Sequence, residues 1–210
     1  MKLITPQGEE WKNPVEHLQK IGVLSKARMI EVVTNRKYAL NEKMKSYWND
    51  FKEFSPELLS NISKDKKRNE IIISEILKYK NKKGIIFACS IEHADYLAFL
   101  IRRSGLNAAS VSASTRTANR KEILRELKDG KLDFITNFGV LTTGFDDPQL
   151  NMIVLARPVI SQVLFEQMVG RGLRGPKFGG TEECIIMDFA DNVELHGQPL
   201  AYKRFRRLWD

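Results

Sequence analysis

The sequence is poor in the residues that bind metals and form covalent crosslinks. Its 210 residues include two cysteines and three histidines. His17, His93 and His196 are scattered, and Cys89 and Cys184 stand alone, so no metal-ligand spacing can be drawn. Each cysteine lies inside an apolar run, "IIFACS" or "ECIIMDF". Both read as buried free thiols of a reducing compartment, where a disulfide is not expected. No apolar run approaches the ~20 residues of a membrane-spanning helix. The N-terminal stretch "MKLITPQGEEW" lacks the pattern of a signal peptide. Together these features point to the cytoplasm and away from a membrane. A G-x-x-x-x-G-K-[ST] phosphate loop is absent, as are internal repeats, low-complexity linkers and any nucleophile–base pairing.

What is present is an ordinary core and an excess of positive charge. Hydrophobic residues make up 42% of the chain and charged residues 29%, which excludes wholesale disorder and allows one good core with a small extra element. The formal charge is +8 and the pI about 9.4. Such an excess favours polyanions, nucleic acid first and anionic membrane second, although a merely basic protein would look the same.

Residues 1–60 show no sustained alternation. "ARMIEVVTN" (27–35) suits a strand. "NEKMKSYWNDFKEF" (41–54) suits a helix with Met44, Tyr47, Trp48, Phe51 and Phe54 on one side, a stripe better suited to packing than to a ligand. Over 63–84, Ile72, Ile73, Ile76 and Leu77 recur at helical spacing before Gly84. From there the rhythm is regular. Strands "GIIFAC", "LNAASVS", "LDFITN", "LNMIVLA" and "ECIIMDF" are interleaved with helices "IEHADYLAFLIRRSG", "TANRKEILRELKDG" and "SQVLFEQMVGR". Ser90 is a candidate N-cap of the first of these helices. Apolar strands alternating with amphipathic helices predict an α/β fold, a parallel sheet with helices on both faces. In such sheets the ligand-facing loops leave the carboxyl ends of the strands. The tail "YKRFRRLWD" (202–210) reads either as a docking helix or as a nucleic-acid contact. The three-and-four spacing of Phe205, Leu208 and Trp209 favours docking.

Two stretches carry chemistry. "FEQMVGRGLRG" (165–175) places Arg171 and Arg174 one helical turn apart, among Gly170, Gly172 and Gly175 and with no acidic neighbour in that turn. Its match to G-x-G-x-x-G is accidental, because that fingerprint opens a helix after a strand whereas this one closes a helix. "ITNFGVLTTGFDDPQLNMIVLARP" (135–158) runs from a strand into a loop with Thr142, Thr143 and Gly144, then Asp146, Asp147 and Pro148. Hydroxyls and free amides there suit phosphate, and an exposed carboxylate suits ribose hydroxyls. A plain turn ended by Asp147-Pro148 fits equally well.

In order, "KKGIIFACSIEHADYLAFLI", "FITNFGVLTTGFDDP" and "QMVGRGLRG" resemble motifs IV, V and VI of the second RecA-like domain of superfamily 2 helicases and translocases. The T-G-F-D-x-P wording is similar to the DNA-repair and type III restriction branch. The resemblance runs from about residue 55 to 190. It implies a P-loop NTPase-type fold and a division into a connector (1–60), a RecA-like domain (61–192) and a basic tail (193–210). It further implies an ATP-dependent motor acting on nucleic acid, DNA more than RNA, whose ATP and magnesium are held mainly by a first RecA-like domain absent from these residues.

By the same resemblance, Arg171 and Arg174 would be arginine fingers, with the glycines beside them letting the partner domain come close. Asp146 would meet the ribose, Gly144 would shape that loop, Gly170 would stand on the nucleotide side, and Gln167, also a nucleotide-binding residue, would couple the nucleotide to the nucleic-acid side. Ser90, Arg120 and Thr136 would contact the phosphate backbone; the residues alone equally allow Ser90 as a helix cap, Arg120 on a solvated face and Thr136 as strand-end packing. Alone, the chain would bind nucleotide weakly and not hydrolyse it. The competing reading is a non-catalytic nucleic-acid-binding or adaptor module that keeps the RecA-like shape.

Overall fold

A computed structural model of the chain describes residues 14–51, 53–141, 145–195 and 198–199. The chain opens with α1 (Pro14–Lys20), β1 (Lys26–Tyr38), α2 (Glu42–Phe51), α3 (Pro56–Ser63) and α4 (Lys66–Leu77). The alternating part follows: β2 (Gly84–Phe87), α5 (Ile91–Arg103), β3 (Ala108–Ser112), α6 (Thr117–Lys128), β4 (Phe134–Phe138) and β5 (Met152–Leu155). Next come α7 (Gln162–Val169), a short 3-10 turn (Pro176–Phe178), β6 (Glu183–Leu195) and β7 (Gln198–Pro199). Helix starts are set by their side chains. Ser55, Asp65, Ser90 and Ser161 each accept the amide three residues on, at 3.1 to 3.3 Å, satisfying a donor the first turn leaves free.

Six strands lie parallel in the order β1-β6-β5-β2-β4-β3, and β7 adds antiparallel to β6. The central strands β2 and β5 are buried along their whole length, as continuous apolar runs require when both faces are covered. Period-two alternation then sorts the side chains. Ile85, Phe87, Ile135, Ile153 and Leu155 point to one face, under α6 and α7. Ile86, Ala88, Phe134, Met152 and Val154 point to the other, under α4 and α5. This is the expected α/β sheet covered on both faces.

The first sixty residues do more than connect. β1 pairs in parallel with β6, from Lys26↔Glu183 to Tyr38↔Val193, and so forms one edge of the sheet. Its half-exposed alternation is that of an edge strand, a weaker signal than a buried run. Asp65 fastens it to α4, accepting Arg36 Nε at 2.6 Å and Tyr38 Oη at 3.0 Å. Burial pulls the Asp65 carboxyl upward, but the bonds from Arg36, the Arg68 amide and Tyr38 outweigh it and hold the pKa below its ordinary value.

The aromatic stripe of α2 is only partly buried. Met44 and Phe54 enter a third apolar cluster with Leu58 and Ile62, while Phe51 stays exposed, its ring tilted against that of Tyr47 with centroids 4.6 Å apart. Both cysteines are free and buried. The tail 202–210 lies outside the described residues.

Candidate functional site

The parallel sheet has two ends, and the chemistry divides between them. β4 ends at Phe138 on the carboxyl edge, whereas β5 begins at Met152 on the amino edge. The segment between them therefore crosses the domain and delivers Phe145, Asp146 and Asp147 to the amino end. Leu141, before that crossing, takes a left-handed φ of +62°, a conformation costly without glycine. Thr142, Thr143 and Gly144 lie outside the described residues.

α7 runs back along the same face and stops at Val169, with Gly170 as its C-cap. Arg171 and Arg174 thus follow the helix and are not one helical turn apart within it, contrary to the sequence expectation. The cause is local: Gly170 and Gly172 weaken helix propagation, and Arg174 is captured in an antiparallel bridge with Leu24. The bridge is extended by Gly175 N donating to Val23 O at 3.0 Å and Lys177 N to Gly22 O at 2.9 Å.

These contacts also explain the glycines. A Cβ at Gly172 would collide with Cys184 Sγ and approach Ile153 Cγ1 to 2.9 Å. One at Gly175 would collide with Gly22 O and come within 2.8 Å of the Val23 and Leu24 carbonyl carbons. Gly172 and Gly175 thus permit close packing inside this fold, a different use from the approach of a partner domain that the resemblance implies.

Val23, Leu24, Phe145, Asp146, Arg171 and Arg174 line an open cleft of about 320 Å³, which Gly170 also borders. Arg171 is anchored by its backbone neighbours: Nη1 donates to Phe145 O at 2.6 Å and Nε to Gln167 O at 3.3 Å. Among the described residues it makes no ion pair. Arg174 differs, because its Nη2 lies 3.0 Å from Asp146 Oδ2, with the two side chains 41% and 58% exposed. The absence of a local acid therefore holds along the sequence but not in space. Asp147, by contrast, is buried and structural. Its Oδ1 accepts the Gln149 amide at 3.0 Å, and Lys83 Nζ stands 3.5 Å from its Oδ2. Gln167 offers its carbonyl to Arg171 and sits half-buried on α7.

The expected strand-contact residues lie toward the carboxyl end, with differing fates. Ser90 follows β2, caps α5 and lines a groove of about 890 Å³ with Ser63, Lys64, Lys66 and Tyr96. Arg120 turns inward, its Nη2 donating to Ser112 O at 2.8 Å and so tying α6 to the end of β3. Thr136 is 0% exposed, and its hydroxyl donates to Ala94 O at 2.7 Å, which corrects the expectation of a backbone contact there. Alternation explains it: Thr136 shares the face of Ile86 and Val154, beneath α5. Sequence reasoning also passed over Asn137 and Arg157, which flank a pocket at the same edge. Their only sequence signal is a polar side chain at the end of an apolar strand.

No three or more His, Cys, Asp or Glu among the described residues group so as to hold a metal ion. No described helix is long and apolar enough to cross a membrane.

Known proteins match this arrangement. The family model for the helicase conserved C-terminal domain matches residues 67–175. The chain is 33% identical over 150 residues to IRC3 of Saccharomyces cerevisiae, which bears the name of an ATP-dependent helicase; the match covers 70% of this chain and 21% of that protein. The match spans 19 to 28% of the length of IRC3 and two further curated relatives. Among solved structures, a fragment described as an HsdR subunit of a type I restriction enzyme from Vibrio vulnificus superposes with a TM-score of 0.58 at 22% identity, over 80% of this chain and 32% of that one. A DEAD box protein from Methanococcus jannaschii gives 0.52 at 20%, over 59% and 32%. The sheet is that of the RecA-like helicase domains, and the chain belongs to the helicase conserved C-terminal domain family.

Proposed function

We propose that this chain is the second motor domain of an ATP-dependent helicase or translocase. It would present Arg171 and Arg174 to an ATP held on a first RecA-like domain, from elsewhere in the polypeptide or from another chain. The observation that carries this reading is the single cleft at which Asp146, Arg171 and Arg174 meet, although they come from segments on either side of β5 and α7. An anionic triphosphate and a ribose fit this donor set: a planar guanidinium binds phosphate oxygens at two points, and a carboxylate accepts from ribose hydroxyls. ATP brings the phosphoryl group to be transferred. Arg171, fixed along one edge by Phe145 O and Gln167 O, lines the cleft and keeps its remaining N–H groups for phosphate. Arg174 and Asp146 exchange their exposed pair for phosphate and ribose. Positive charge so placed is worth about 10³ to 10⁵ in rate in well-studied NTPases.

Nucleic acid is the proposed track, with DNA ahead of RNA. Support comes from the charge of +8, the motif V wording, and a restriction-enzyme subunit among the structural neighbours, beside a DEAD box protein. Backbone-directed contacts from the Ser90 groove imply little base specificity and steep salt dependence. The buried free thiols fit a reducing compartment.

One observation favours the non-catalytic alternative: Arg174 already has a carboxylate within its own fold. Mutation of the assembled motor separates the two. Arg171→Ala and Arg174→Ala should each lower ATP turnover by orders of magnitude while nucleic-acid affinity stays within a few-fold. Wild-type turnover in both variants removes the finger assignment, and steady turnover by this chain alone removes the need for a first domain.

A further inference from the structure

The carboxyl edge holds a second, smaller pocket, where parts of the three motif stretches meet Arg157 beyond β5. It measures about 220 Å³ and is lined by Phe87, Asn137, Phe138, Gly139, Arg157 and Met168 among others. Its place in the sheet is distinctive. β2 and β5 are neighbours, but their onward connections part: β2 continues into α5 on one face and β5 into α7 on the other. Where adjacent parallel strands send their connections to opposite faces, a crevice opens at the carboxyl ends, and open α/β sheets bind ligands there.

Two polar groups of this pocket are buried without a hydrogen-bond partner, Arg157 Nε and Asn137 Oδ1. Asn137 is fixed in orientation, since Nδ2 donates to Ile86 O at 3.2 Å, which leaves Oδ1 as the open acceptor. Arg157 has no ion pair or hydrogen bond among the described residues, and its guanidinium lies 6.0 Å from the centre of the Phe138 ring. Burial pushes the guanidinium pKa below its ordinary value, against an opposite pull from Cys89 and Glu53. A desolvated cation and an orphan acceptor each cost free energy unless something completes them.

We propose that this pocket is a subsite for one phosphodiester of a nucleic-acid strand, gripped by Arg157, with Asn137 Oδ1 accepting from a donor on the adjoining sugar or base. It rests on the nucleic-acid half of the proposed function and assigns the grip to residues outside the three named for it above. The grip then lies at the carboxyl ends of β5, β2 and β4 rather than at Thr136, with Ser90 beyond β2 and Arg120 beside the edge strand β3.

The test is binding of this chain to fluorescently labelled oligothymidylate and oligouridylate, followed by anisotropy over a series of chloride concentrations. Arg157→Gln keeps side-chain length without charge, and Arg157→Ala removes both. Each should weaken binding about tenfold or more and reduce the slope of log K against log salt by about 0.7, the value of one single-strand phosphate contact. Arg157→Lys should recover the slope. Asn137→Ala should weaken binding with the slope unchanged, because it removes no charge. If Arg157→Ala does not melt as the wild type does, Arg157→Gln carries the comparison. Wild-type affinity and slope in Arg157→Gln overturn the subsite while leaving the proposed function standing. Loss of oligonucleotide binding in the wild type itself sinks both. A free-phosphate site would reveal itself as inorganic phosphate raising the melting temperature of the wild type but not of Arg157→Gln, with oligonucleotide binding the same in both. That outcome also overturns the strand assignment.

Discussion

Arg174 Nη2 and Asp146 Oδ2 lie 3.0 Å apart, joining the turn after α7 to the segment that enters β5. Nothing in the sequence spacing announces this pair, since 28 positions separate the two residues. Both side chains remain substantially exposed, so solvent screens their attraction and the pair is worth about 0–1 kcal/mol. Asp146→Asn should therefore move the melting temperature by no more than about 4 °C in a chain of this size. It should nonetheless lower nucleotide affinity in the assembled motor, where the carboxylate has a second task. A large loss of stability together with unchanged nucleotide affinity would make the pair structural and nothing more.

The backbone of Arg174 is held more firmly than its side chain. Ser25, fully buried, directs its hydroxyl at Arg174 O (2.8 Å) and Thr181 O (2.7 Å), and its amide donates to Leu173 O at 3.1 Å. Ser25→Ala removes a donor shared by two part-buried carbonyls and should cost about 1 kcal/mol, read as a lower urea midpoint with an unchanged slope. The loss should be local as well. The Gly175 and Thr181 amides, which bond to Val23 O and Arg174 O, should exchange hydrogen faster relative to those of β2. Uniform acceleration across the sheet would contradict a strap that specifically holds this turn.

The alternating half of the chain was legible because β2, β4 and β5 are short buried runs and α5 and α6 have clear apolar stripes; their existence followed from periodicity alone. β1 was readable as a strand but not as part of the sheet, since its half-exposed pattern does not say what it pairs with. At the site, Asp146, Arg171 and Arg174 were found through their motifs, and the cleft brings the three together. Thr136 misled because motif position does not report which face of a strand a residue occupies; counting alternation from Ile86 would have placed it beneath α5. Asn137 and Arg157 escaped notice for the opposite reason. A lone polar residue at a strand end is common, and only the crevice between diverging connections makes these two unusual.

The base of the Ser90 groove is a buried histidine whose charge state is set by its surroundings. His93 is 2% exposed; its Nδ1 accepts the Cys89 amide at 3.1 Å, so Nε2 carries the proton and donates to Asn69 Oδ1 at 3.0 Å. Burial, with the nearby Arg68 cation adding to it, pushes the pKa down to about 3 from 6.5. The folded state therefore stays neutral where the unfolded chain takes up a proton. Stability is complete above about pH 6.5 and falls as pH drops from there toward 3, by up to ~1.4 kcal/mol for each unit. Between pH 6.5 and 5, before most carboxylates titrate, this term should stand out. His93→Gln should flatten the dependence of unfolding free energy on pH in that window, at the cost of lower stability at pH 7.5. Equal slopes in the variant and the wild type would mean that the imidazole is charged in the fold, which would set a second donor at Nδ1 against the Cys89 amide.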